Sequence, residues 1–198
     1  MQQLFLKSPY LLGNVFAAVV TTIIVATGSL AYAATPAVAD HADSWFAAAR
    51  AGRTDLLDAM IDAKFPIDAT TAEGYTALSL SAYNHRPATV AMLVARGADA
   101  CLADQRGNTP LMGALFKGDH DIAESLLATP CSLDQANNAG ETAVSFAAMF
   151  GRLDILPALR AHGADINHVD AQGRTPLALA LAQGNASAVA ALKALGAK

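Results

Sequence analysis

One spacing governs this chain. Gly74, Gly107, Gly140 and Gly173 stand 33 residues apart, and Thr76, Thr109, Thr142 and Thr175 keep the same interval two positions later. Self-similarity at a period of this length marks an array in which each unit buries its apolar face against its neighbours. The stretch Gly107-Asn108-Thr109-Pro110-Leu111 shows what each unit does. Glycine supplies the backbone angles of a tight turn, threonine caps a helix through its hydroxyl, and proline suits the first helical position. Apolar residues then run to Phe116, a turn falls at Gly118, and a second amphipathic run covers Ile122, Ala123, Leu126 and Leu127. Each unit reads as turn, helix, turn, helix.

These residues carry a resemblance to the ankyrin repeat family. Its G-x-T-P-L-H-x-A start is matched by Gly107-Asn108-Thr109-Pro110-Leu111 and Gly173-Arg174-Thr175-Pro176-Leu177, and its G-A-D ending by Gly97-Ala98-Asp99 and Gly163-Ala164-Asp165. The resemblance implies an all-α solenoid of about five helix-turn-helix repeats joined by short β-turn or hairpin connections, over residues 41–70, 71–103, 104–136, 137–169 and 170–198. The family's histidine is replaced by Ser79, Met112, Ser145 and Ala178, so its hydrogen bond to the threonine is expected to be lost.

Residues 1–40 have another composition, with Lys7 the one charge before Asp40. An apolar core from Val15 to Ala26 precedes Ala31-Tyr32-Ala33, the small-x-small pattern of signal peptidase cleavage. Residues 1–33 are expected to be a signal peptide and 34–40 a short linker. An uncleaved anchor over Leu11 to Leu30 is the alternative, weakened by Gly13 and Gly28. Export places the protein in the periplasm of a two-membrane bacterium, or on the inner membrane if the segment is retained. With a net charge of −4, this argues against nucleic acid as a partner.

Several positions depart from the repeat. The first unit is degenerate, with Asp43 expected to cap its first helix and Trp45 at the leucine position. His85 interrupts the series Gly52, Gly118, Gly151 and Gly184, at the cost of some backbone strain. Pro157 predicts a kink or a late start in the second helix of the fourth unit. Pro130 replaces the glycine that ends the second unit at Gly97 and the fourth at Gly163.

The compact motifs of catalysis are absent, and His41, His85, His120, His162 and His168 have no metal-ligand spacing, so neither an enzyme nor a cofactor is expected. Asp119, His120 and Asp121 read as a helix start. Cys101 and Cys131 leave two alternatives: a disulfide, which export permits, or two separately packed thiols. What remains is surface. The resemblance implies a protein-binding module that uses the turn tips and the inner helices. At the tips stand Glu73, Tyr75, Arg106, Asn108, Asn138, Glu141, Gln172 and Arg174; ending the first helices stand Tyr83 and Asn84, Phe116 and Lys117, Met149 and Phe150. The partner-binding set is taken as Tyr75, Tyr83, Asn84, Arg106, Asn108, Phe116, Lys117, Met149, Phe150 and Arg174. Its aromatics either face a partner or pack against the next hairpin. The chain is expected to act as a monomer on a protein partner, with an accessory or inhibitor of an exported enzyme, for instance in oxidative stress, as the second reading and an enzyme with a scattered site as the third.

Overall fold

A computed structural model describes residues 36–198; the expected signal peptide and its cleavage motif lie outside the described residues. The backbone is all-α. The helices pair as α1 (Pro36–Ala51) with α2 (Thr54–Asp62), α3 (Ala77–Tyr83) with α4 (Pro87–Ala95), α5 (Pro110–Lys117) with α6 (His120–Leu127), α7 (Ala143–Met149) with α8 (Leu156–Ala161), and α9 (Pro176–Ala182) with α10 (Ala186–Ala194). The first helices stack in one row, α1 on α3 on α5 on α7 on α9; the second helices form an outer row in which α2 meets α4 and α4 meets α6.

The repeated residues explain this arrangement. Thr76, Thr109 and Thr175 each accept the backbone N–H three residues on, at Ser79, Met112 and Ala178. Thr142 does not; its buried Oγ1 and that of Ser145 have no partner. Ser79 retains part of the hydrogen bonding expected to vanish with the family's histidine: its hydroxyl donates to Thr76 O at 3.0 Å and accepts from Thr76 Oγ1 at 3.4 Å. The leucine position is core throughout, at Trp45, Leu78, Leu111, Val144 and Leu177.

Between helix pairs the chain forms hairpins, and a third repeated position holds them. Asp104 Oδ1 accepts the N–H groups of Arg106 and Asn108, Asn137 Oδ1 those of Ala139 and Glu141, and Asp170 Oδ1 those of Gln172 and Arg174. Thr71 Oγ1 does the same for Glu73 and Tyr75. Successive hairpins are then joined by backbone bonds from Gln105 N–H to Glu73 O, Asn138 N–H to Arg106 O and Ala171 N–H to Ala139 O. Gly107 is needed twice over in this stack. Its φ is +80°, and a Cβ there would stand 2.8 Å from Asn137 Cα in the next hairpin.

Two expectations at the first repeat are corrected. The helix starts at Pro36, so 36–40 is helical rather than linker, and Asp43 lies inside α1 instead of capping it. The reason is local: proline is pre-organised for the first helical position and an alanine-containing run follows it. Trp45 is fully buried, its ring centroid 4.9 Å from that of Phe65.

The remaining departures behave as their chemistry requires. His85 adopts φ +55°, the left-handed turn that Gly52, Gly118, Gly151 and Gly184 make in the other repeats. Its Nδ1 lies 2.9 Å from Asp119 Oδ2, the carboxylate that caps α6. Pro157 occupies the first turn of α8, which begins at Leu156, three residues later than α6 begins in register. This late start thins the outer row between α6 and α8 and leaves a pocket of about 170 Å³ bounded by His120, Arg152 and Asp154. Cys101 and Cys131 are joined as a disulfide, with Cα atoms 5.3 Å apart.

The candidate partner-binding cleft

The hairpins and the ends of the first helices enclose a cleft of about 500 Å³ on the inner side of the stack. An unbroken series of aromatic contacts runs along it. Tyr75, at the first hairpin, meets Tyr83, at the end of α3, edge-on with centroids 5.9 Å apart; Tyr83 meets Phe116 at 6.3 Å; Phe116 meets Phe150 edge-on at 5.0 Å; Phe150 meets Phe146 at 5.5 Å. Edge-to-face geometry at these separations suits the ring quadrupoles. Phe116 and Phe150 remain 46% and 36% exposed, so the series presents ring surface to solvent.

Each ring is placed by its element. Tyr83 and Phe116 stand 33 residues apart and so at one height on successive helices. Phe150, one residue past that register, is the C-cap of α7. Tyr83 is half-buried because α5 has no side chain beneath it: a Cβ on Gly113 would stand 2.8 Å from Tyr83 Cε2. Burial pushes the Tyr83 phenol up from its ordinary pKa, aided by Tyr75 and Asp104 and opposed by Arg106. At neutral pH it is a neutral hydroxyl.

A polar wall faces the rings. Asn137 Nδ2 donates to Asn108 Oδ1 at 3.1 Å and to Glu141 Oε2 at 3.0 Å, tying two hairpins together. Asn138 Nδ2 donates to Gln105 O at 2.9 Å, and Arg106 is exposed beside them. The cleft therefore offers an aromatic floor, fixed amides and one guanidinium, the make-up of an interface with an apolar centre and a polar rim.

Of the partner-binding set taken from the sequence, Tyr75, Tyr83, Arg106, Asn108, Phe116 and Phe150 line this cleft, and so do the tip residues Asn138 and Glu141. The other four of that set are placed otherwise. Asn84 donates its side-chain amide to Leu80 O at the end of α3, and Lys117 is exposed on the last residue of α5. Met149 packs against the core, so Phe150 supplies the ring in that repeat. Arg174 is held by Asp170 Oδ2 at 2.7 Å and by Gln172. Phe146 and Asn137 were not singled out. Phe146 shares the register of Gly113, and Asn137 that of Asp104; a glycine opposite a phenylalanine in one register, and a second polar period beside the threonines, were the available signals.

Among the described residues one group of side chains is close enough to share a metal ion, Asp99 with Cys101 and Cys131, and there the sulfurs are consumed by the disulfide. A family model for ankyrin repeats, built of three copies, matches residues 45–137 and again 111–198. The chain belongs to the ankyrin repeat family. Ankyrin repeats are generally protein–protein interaction modules and typically non-enzymatic. No curated protein matches the chain. As an ankyrin repeat protein it carries its aromatic series where successive inner helices present one concave surface.

Proposed function

We propose that this chain is a non-enzymatic protein-binding module of the periplasm that captures its partner in the aromatic cleft. The observation that carries the reading is the Phe116–Phe150 pair, two large rings in contact with each other and still open to solvent. Aromatic side chains dominate binding energy where a partner desolvates them. The location rests on the apolar segment before Ala31-Tyr32-Ala33, with the mature chain beginning at Ala34. One form such a module takes is an accessory that shields an exported enzyme, for instance under oxidative stress, and the identity of the captured protein decides that point.

The test is affinity capture from a periplasmic extract with the mature domain as bait, followed by binding measurements on the identified protein. Phe116→Ala is expected to weaken binding at least tenfold, about 1.4 kcal/mol, with the melting temperature unchanged. Tyr83→Ala weakens binding similarly but carries some stability cost, because its ring is half-buried over α5. Arg53→Ala, whose guanidinium pairs with Asp55 at the far end of the stack, should affect neither. Normal binding by folded Phe116→Ala protein would refute the cleft. N-terminal sequencing of exported protein checks the processing.

A further inference from the structure

Two loops meet at the join between the second and third repeats and bring together side chains of a kind that binds metal. Asp99 and Cys101 follow α4, and Cys131 follows α6; the carboxylate and the two sulfurs lie within 4.8 Å of one another. The disulfide is one use of that convergence. Opening it leaves the loops in place, because other contacts hold them. Asp99 N–H donates to Asp68 Oδ1 at 2.9 Å, Gln135 Nε2 donates to Cys101 O at 3.1 Å, Asp99 Oδ1 accepts the Cys101 N–H at 2.8 Å, and Cys131 packs against the core. Two repeats on, the same pair of bonds forms around Asp165, with Asp134 and Asn167 as partners and no cysteine in the loop.

We propose that the reduced chain holds one zinc ion between Asp99, Cys101 and Cys131, a metal site that the disulfide keeps closed. Both cysteines are partly exposed, so a dithiol reductant reaches them. One thiolate of the reductant attacks a protein sulfur and its second thiol resolves the mixed disulfide; the reductant leaves as its own disulfide, and Cys101 and Cys131 take up two electrons and two protons as thiols. Zinc then displaces both thiol protons to water and binds the thiolates. The donor set selects this ion. Two thiolates with a carboxylate suit zinc, which accepts sulfur and oxygen together, whereas magnesium and calcium require oxygen. Two sulfurs on one tetrahedral zinc stand about 3.8 Å apart, given Zn–S bonds of about 2.3 Å. With Cα atoms 5.3 Å apart, the released side chains reach that separation by rotation about Cα–Cβ. The Cys101 N–H orients the carboxylate through Oδ1, and Oδ2, which takes no hydrogen bond among the described residues, is the third ligand. Water completes the tetrahedron.

The test reduces the chain with dithiothreitol, removes the reductant by gel filtration without air, and titrates zinc against a chromogenic chelator. The oxidised chain is the reference for zinc held by histidines. Reduction should add one zinc per chain, releasing about two protons per ion where the thiols are protonated, and cobalt(II) at the site should show thiolate-to-metal charge-transfer absorption. Helical circular dichroism of the reduced, metal-free chain should match that of the oxidised one. Cys101→Ser should abolish the added equivalent. Asp99→Asn, which keeps an oxygen for the Cys101 N–H, should weaken it at least tenfold. Zinc binding unchanged by reduction, an added equivalent that survives Cys101→Ser, unaltered affinity in Asp99→Asn, or helix lost on reduction would each overturn the preformed three-ligand site.

Discussion

The ring of Tyr83 rests on the backbone of α5 at Gly113, where an added Cβ would approach Cε2 to 2.8 Å. Glycine inside a helix costs about 1 kcal/mol relative to alanine, and here the vacancy admits an aromatic ring. Gly113→Ala alone is therefore expected to leave stability unchanged or lower, because the gain in helix propensity is offset by displacement of Tyr83. In a Tyr83→Ala background the same change should stabilise by about 1 kcal/mol. Chemical denaturation of the four proteins of the cycle checks this; equal effects in both backgrounds would show that ring and glycine are not coupled.

The threonine period is not energetically uniform. Thr109 accepts the Met112 N–H and caps α5, whereas Thr142 makes no cap and its hydroxyl is buried without a partner. Thr109→Ala should cost about 0.5–2 kcal/mol, and Thr142→Ala distinctly less. Thermal melts of both variants decide it, and equal costs would contradict the caps described.

The disulfide stands where the helix-end closure fails. After α4, α8 and α10 the chain turns back through backbone bonds at Gly97 and Ala98, Gly163 and Ala164, and Gly196 and Ala197. After α6 Pro130 replaces the glycine and cannot take its left-handed φ, and the next residue, Cys131, is held to Cys101 across a sequence separation of 30. Closing a loop of that length contributes about 3–4 kcal/mol. Replacing both cysteines by serine should lower stability by up to that amount, and alkylation of exported protein before reduction should label neither thiol. Two thiols freely labelled without reductant would dismiss the bridge.

Asp170 supplies a pH dependence. Its burial would push the carboxyl up, but donors from Arg174 and Gln172 outweigh that and hold it below the ordinary aspartate value. A depressed folded pKa stabilises above the unfolded value of about 3.9 and loses that stabilisation as pH falls through the folded value. The melting temperature of the wild type should therefore fall more steeply below about pH 4 than that of Asp170→Asn, which keeps the Oδ1 acceptor used by Asn137 one repeat earlier. Parallel falls in the two proteins would assign the acid sensitivity to other groups.

The sequence by itself determined the repeat, the turn positions and the late start of α8. Each of these depends on one residue's own backbone: glycine reaches positive φ, proline lacks an N–H, threonine caps its own helix. It also carried the hairpin anchors Thr71, Asp104, Asn137 and Asp170, since they act on N–H groups two and four residues away. Register alone, however, put Met149 in the aromatic row and made Asp43 a cap. Those outcomes turn on neighbours: Phe150 meets Phe116 across repeats, and α1 extends back to Pro36. The tertiary structure decided them because burial and ring contact belong to pairs of surfaces, which a period in one strand of sequence does not specify.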